Sequence, residues 1–177
     1  GEVAKENREV YEEFTEISAS EGLDVYVTQG DDFSIEVEAD ENIIDLIGTD
    51  IKNGKLRIHA IENIGRATKR IHVSLPSVTG LYASSGANLL SQNVIRGNKI
   101  SLDASSGAGI KVALVAEEVD ADTSSGADIR IEGEAMLFYA DASSGSDIKA
   151  KDFTVRTCHA DASSGADISV NVSETLV

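Results

Sequence analysis

The chain has 177 residues, and 31 acidic against 15 basic side chains leave a net charge of −16. That length has room for one domain, and the charge argues against nucleic acid and anionic membrane surfaces as partners. No apolar run approaches membrane-spanning length, and one cysteine makes no intramolecular disulfide.

Taken in order, the chain begins with Gly1 in place of Met, with no visible signal peptide, which suggests a processed or recombinant start. Residues 2–16 are acidic and ambiguous. Val3, Val10, Tyr11 and Phe14 suit one side of a helix, whereas Val10 and Phe14 also suit an extended lead-in. Ile17 to Val27 then reads as two short alternating strands around Gly22. The insertion 28–76 reads as mostly β. Gln29 to Asp32 turns into the strand Phe33 to Glu38, and Asp40 is placed to cap a short helix through Leu46 with Ile43, Ile44 and Ile47 as its apolar side. Asn53-Gly54, between Ile51 and Leu56, is a type I′ hairpin signal. Arg70 to Leu75 is a further strand, ended by Pro76. This segment is expected to cover one side or one end of the repetitive region C-terminal to it.

From Leu81 onward one nine-residue motif recurs five times with small edits, as at Ala160 to Ile168, with central glycines at Gly86, Gly107, Gly126, Gly145 and Gly165. A near-constant period of 19–21 residues marks stacked supersecondary units. Set in register on the glycine, odd offsets are apolar or small. Five before it stand Leu81, Leu102, Ala121, Ala140 and Ala160; three before it, Ala83, Ala104, Thr123, Ala142 and Ala162. One after it come Ala87, Ala108, Ala127, Ser146 and Ala166; three after it, Leu89, Ile110, Ile129, Ile148 and Ile168. Seven before it, Thr79 is followed by Ile100, Val119, Phe138 and Cys158, so the thiol reads as buried and inert. This period-two pattern, repeated every circuit, predicts a parallel β-helix with rungs roughly 4.8 Å apart. Ile17 to Val27 matches the same offsets around Gly22, so it reads as a first rung separated from the second by the insertion. The glycines permit a bend, although the unbroken alternation also allows a nearly straight strand. Length changes are expected in stretches such as Ala113 to Glu118 and Gly133 to Met136.

Two acidic columns are expected to face solvent. Four before the glycine are Asp103, Asp122, Asp141 and Asp161, with Tyr82 first; two after it are Asp128, Asp147 and Asp167, with Asp24, Asn88 and Gly109 earlier. Each carboxylate pair offers a metal only a few oxygens where calcium takes 6–8, so no metal is expected. Solubility of a repetitive β surface explains the columns as well. The first serines of the motif (Ser84, Ser105, Ser124, Ser143, Ser163) form a strip that could hydrogen-bond a glycan if the strand is straight, and become a convex corner if it bends. His59, His72 and His159 have no ligand spacing, and neither a nucleophile elbow nor a P-loop is present. No catalytic, cofactor-binding or metal residue is therefore assigned.

Phe14-x-x-Ile17, Leu23 to Asp31, Asn53-Gly54-x-Leu56 and the repeated Ala-Ser-Ser-Gly-Ala together resemble the head GIN domain of putative bacterial auto-transporter adhesins, from about residue 8 to the end. The resemblance implies a single-stranded, right-handed parallel β-helix. It also implies export to the periplasm, outer-membrane surface or extracellular space, often with a lipoprotein anchor. The expectation is one all-β domain, 8–177, of about six rungs of 19–21 residues, with 28–76 inserted after the first rung and 77–177 forming the regular rungs. The function expected is a non-catalytic surface-binding or adhesion module, with a glycan or a surface protein as partner. The alternative is a polysaccharide-active lyase or hydrolase. Nothing after Val172 looks like a cap, so the C-terminal end is expected to be completed by a second copy or by further chain.

Overall fold

The computed structural model describes residues 2–65 and 67–177, so the reading of Gly1 lies outside the described residues. Strand follows strand, with one short 3-10 turn at Ile44–Leu46. The first corner joins β2 (Glu16–Ala19) to β3 (Asp24–Gln29). The second joins β8 (Gly80–Ala83) to β9 (Asn88–Ala104), and the coil continues through β10 (Gly109–Thr123), β11 (Asp128–Ala142), β12 (Asp147–Ala162) and β13 (Asp167–Leu176). β9 to β13 pair in parallel, each with the next. The chain is an all-β solenoid of parallel rungs, close to the expected number.

Each Ser-Ser-Gly-Ala is a corner. Ala87 N–H donates to the Ser84 carbonyl at 3.1 Å, and the residues between, Ser85 and Gly86, have φ of 51° and 73°. Two consecutive positive φ values define a type I′ turn. Glycine takes its half without a Cβ penalty, and serine carries a small one. The same pair of angles recurs at Glu21-Gly22, Ser106-Gly107, Ser125-Gly126, Ser144-Gly145 and Ser164-Gly165. The corners are tied along the coil by backbone: Gly86 N–H donates to the Ser106 carbonyl and Gly107 N–H to the Ser125 carbonyl. The chain therefore bends at the glycine, and the strip of first serines lies on a convex edge.

Between corners the odd offsets point inward, as period-two pleating requires. Leu89, Ile110, Ile129 and Ile148 stack in one buried column, and Ile100, Val119, Phe138 and Cys158 in another. The small residues before and after each glycine keep the coil narrow at the corner. Phe138 and Phe153 meet edge to face, centroids 5.2 Å apart, where it widens. Burial pushes the Cys158 thiol pKa up, so the thiol stays protonated and unreactive.

The insertion covers one end, and it does so by adding a rung out of sequence order. β6 (Lys55–Ala60) pairs in parallel with β2, and β7 (Lys69–Leu75) with β3, so both lie on the opposite side of the first rung from β8 and β9. Antiparallel strands then close the open edge. β5 (Ile47–Lys52) returns on β6 through the Asn53-Gly54 hairpin, whose φ values are 53° and 76°. β4 (Ser34–Asp40) runs antiparallel to β7, and β1 (Val3–Arg8) to β4. Residues 3–8 are thus a strand, and the Arg8 guanidinium donates to the Ile44 and Ile47 carbonyls at 2.9 and 2.8 Å. Two local expectations change. Asp40 makes no side-chain cap for the 3-10 turn, and Ile47 opens β5 instead of extending the helical face.

At the other end, Ile168, Val170 and Val172 are only partly buried, whereas Ile148 and Ala150 one rung inward are fully buried. Rung lengths change earlier than expected, with register shifts between Lys111 and Ala113, Arg130 and Gly133, and Ala150 and Thr154.

Candidate functional site

Parallel pairing in register carries each sequence offset into a physical column. Asp103, Asp122, Asp141 and Asp161 are consecutive partners with Tyr82 at their head, and Asp128, Asp147 and Asp167 form the second column. Both face outward, as expected. The corner separates them, so they lie on two different outer faces of the coil.

The face before the corner is a shallow depression of about 700 Å³ lined by Tyr82, Asp103, Asp122, Tyr139, Asp141 and His159 among others. Tyr139 and His159 stack with centroids 5.0 Å apart and planes at 16°. Partial burial raises the Asp103 and Asp122 pKa values, and for Asp122 the neighbouring Asp103 and Asp141 add to the effect. Lys99 offsets part of the charge beside the column, 3.3 Å from Glu118 and 3.6 Å from Asp120. The Tyr82 hydroxyl is pushed up to about 12 by burial and by the Glu16 carboxylate to which it donates at 3.0 Å, so it remains a donor at neutral pH.

The face after the corner is built differently. Asn88 interrupts its acidic column and donates to Asp24 at 3.0 Å, and a Cβ on Gly109 would crowd the Asn88 side-chain Oδ1 at 2.9 Å. Four residues after the glycine runs a column not singled out from the sequence: His72, Tyr26, Leu90, Lys111, Arg130, Lys149 and Ser169. The signal was present in the aligned copies, one outward position beyond the aspartates. A groove of about 870 Å³ opens beside its cationic part.

Glu36, Glu38 and His72 bring three ligand atoms within 4.8 Å of one another, because Glu36 on β4 lies opposite His72 on β7. Arg70 already donates to Glu38 at 2.9 Å, and Lys5 lies 3.9 Å from it, so this carboxylate is neutralised by its own neighbours. His59 sits 2.6 Å from Asp50, apart from both faces.

Outward ladders of equivalent side chains place the chain in the class of parallel β-solenoids with a repetitive outer surface. Residues 13–177 match the family described as Putative auto-transporter adhesin, head GIN domain, and the chain belongs to that family. Membership implies an exported or cell-surface setting. Among solved structures, a putative adhesin from Bacteroides fragilis superposes with a TM-score of 0.92 at 16% identity, covering 99% of this chain and 83% of its own. A putative adhesin from Parabacteroides distasonis gives 0.75 at 16%, covering 99% and 96%. A putative lipid binding protein from the same organism gives 0.73 at 15%, covering 100% and 94%. At such identities the likeness is one of fold. No curated protein is matched. Among the described residues no helix is long and apolar enough to cross a membrane.

Proposed function

We propose that the chain is a non-catalytic binding module displayed outside the cell, with residues 8–177 acting as one domain, and that its outer faces hold a glycan or a surface protein. The observation that carries this reading is the uniformity of the ladders. Asp103, Asp122, Asp141 and Asp161 repeat one outward position rung after rung, whereas hydrolysis or elimination works at a singular pair of carboxylates set apart from their neighbours. A periodic face suits a periodic ligand. No metal takes part in this reading.

The test is a glycan array together with adhesion of the chain to whole cells, and a parallel screen for release of oligosaccharides. Saturable binding without turnover is expected; turnover at a rate abolished by one Asp substitution would favour the polysaccharide-active enzyme instead. The half-covered Ile168, Val170 and Val172 support a further contact at that end of the coil, from a second copy or another rung of chain. Sedimentation of the 177-residue chain and of a Val170→Glu variant separates them, because only a second copy makes the sedimentation coefficient depend on concentration and on this residue.

A further inference from the structure

Lys111, Arg130 and Lys149 are register partners on three successive rungs, with Lys151 two residues further along the last of them. All four are exposed. At a rung spacing of about 4.8 Å the first three stand in line over roughly 10 Å. Like charges on adjacent rungs, at that spacing of about 4.8 Å, repel by about 1 kcal/mol per pair even in water. Asn88 donates to Asp24 in one acidic column and Lys99 pairs with Glu118 and Asp120 beside the other; among the described residues none of these four cations takes part in an ion pair. In a chain of net charge −16, a line of cations held in no direct ion pair faces outward, with acidic side chains beside it but not on it.

The ladder also borders a built groove. Rung length decides its shape. Leu90 to Val94 in β9 spans the same stretch as Lys111 to Ala113 in β10, and Lys149 to Phe153 in β12 the same stretch as Arg130 to Gly133 in β11. The longer rungs carry extra residues on either side of two shorter ones, whose Val112 and Ile131 are buried beneath the floor. The β9 wall is pinned. Ser91 Oγ accepts the Ala113 N–H at 3.0 Å, and the Asn93 side chain both accepts from Gln29 N–H and donates to the Gln29 carbonyl, at 3.0 and 2.9 Å. Gln29 in turn donates to the Pro76 and Arg96 carbonyls.

We propose that this groove binds an acidic oligosaccharide, a narrow chain carrying carboxylate or sulfate groups at about the rung spacing. The proposal rests on the surface-binding reading and names its ligand class. The groove mixes cations with Glu132 and Asp152, so its ligand must bring anions for the first and hydrogen-bond donors for the second. Uronate or sulfated sugars carry both on each ring, whereas an extended acidic peptide presents same-face side chains only every ~6.6 Å, out of step with the rungs. A flat anionic membrane fits poorly, because Asp128 and Asp147 stand two residues from Arg130 and Lys149 on the same face and would be pressed against the headgroups.

The experiment titrates the 177-residue chain with oligogalacturonate, a heparin-type oligosaccharide, a neutral oligosaccharide of equal length and phosphatidylglycerol vesicles. The variants are K111Q/R130Q/K149Q and a charge-matched K5Q/K52Q/R57Q. At least one acidic oligosaccharide is expected to bind at low ionic strength and to weaken with salt. The groove triple should lose about tenfold or more in affinity, the control triple far less, with unchanged melting temperatures. R130Q alone, with a smaller loss, carries the test should the groove triple melt early. Binding no stronger than to the neutral sugar, equal loss in both triples, or binding to vesicles alone would overturn the proposal. Neutral-glycan or protein binding that ignores the groove triple would overturn it while leaving the surface-binding reading intact. Turnover of the bound acidic sugar would do the reverse.

Discussion

The Ser146 and Thr123 hydroxyls are hydrogen-bonded to each other at 2.9 Å, deep in the coil, where the two side chains are 0% and 1% exposed. These are the places where alanine gives way to a hydroxyl in the columns three before and one after the glycine. They belong to different copies of the motif, and stacking brings them together beside the corner. Ser146 Oγ also accepts Ser143 N–H at 3.1 Å and lies 2.6 Å from the Ser143 carbonyl.

Removing one partner should therefore cost more than removing both. Ser146→Ala strands the Thr123 hydroxyl in an apolar corner, a penalty of about 1–3 kcal/mol. The double variant Thr123→Ala/Ser146→Ala restores the alanine pattern of the other copies and should recover most of that loss. Chemical denaturation of the two single variants and the double measures the coupling; additive losses would mean that the pair is not linked.

Gly133 should be the least replaceable glycine of the chain. Its φ is 115°, and a Cβ built there collides with the Leu114 carbonyl on the neighbouring rung, whereas one at the Gly126 corner meets nothing within 4 Å. Gly133→Ala is expected to cost about 3 kcal/mol or more, from backbone strain with a clash added. Gly126→Ala should cost about 1–2 kcal/mol from its positive φ alone. Melting of the two variants side by side tests the order.

The raised pKa values of Asp103 and Asp122 make a signed prediction. Between the ordinary carboxylate value, about 3.9, and the higher folded value, the folded chain holds more protons than the unfolded one. These groups therefore lower stability as pH rises through that window, and their cost is fully present above it. Asp122→Asn should raise the melting temperature at pH 7 by about 1–3 °C, because it relieves partial burial and repulsion worth no more than about 1 kcal/mol after solvent screening. The gain should fade as pH falls through the raised folded value, where Asp122 itself becomes neutral. A gain that grows on acidification would contradict the assignment.

Divalent cations should not take over this relief. Millimolar calcium is expected to leave the melting temperature unchanged, because the carboxylates of adjacent rungs offer too few oxygens. Zinc should likewise do little at Glu36, Glu38 and His72 while Arg70 holds Glu38. Arg70→Ala frees that carboxylate, and a zinc-dependent rise in melting temperature confined to the variant is the expected result.

Much of this was legible because a parallel in-register coil converts sequence offset directly into position. Once Gly86, Gly107, Gly126, Gly145 and Gly165 were aligned, the buried Ile column, the place of Cys158 and the outward aspartates all followed from pleating. Even the first rung at Gly22 was recoverable from its offsets. The same logic would have exposed Lys111, Arg130 and Lys149 had the columns been followed one outward position further. Whether the glycine turned the chain was another matter. Alternation reads the same through a bend and through a straight strand, and only the paired positive φ values of Ser85 and Gly86 made the serines a convex edge. What the tertiary structure alone decided are the relationships between segments without a shared period. β6 and β7 stack behind the first rung although they come after it in the chain, because that edge was the one left unpaired. The antiparallel register of β4 on β7 sets Glu36 opposite His72, and Ser91 replaces a missing ladder acceptor for Ala113 across a length change. Each depends on non-local backbone pairing, whose choice is made by burial and by the hydrogen bonds still open at an edge, and neither quantity is written in the local pattern of residues.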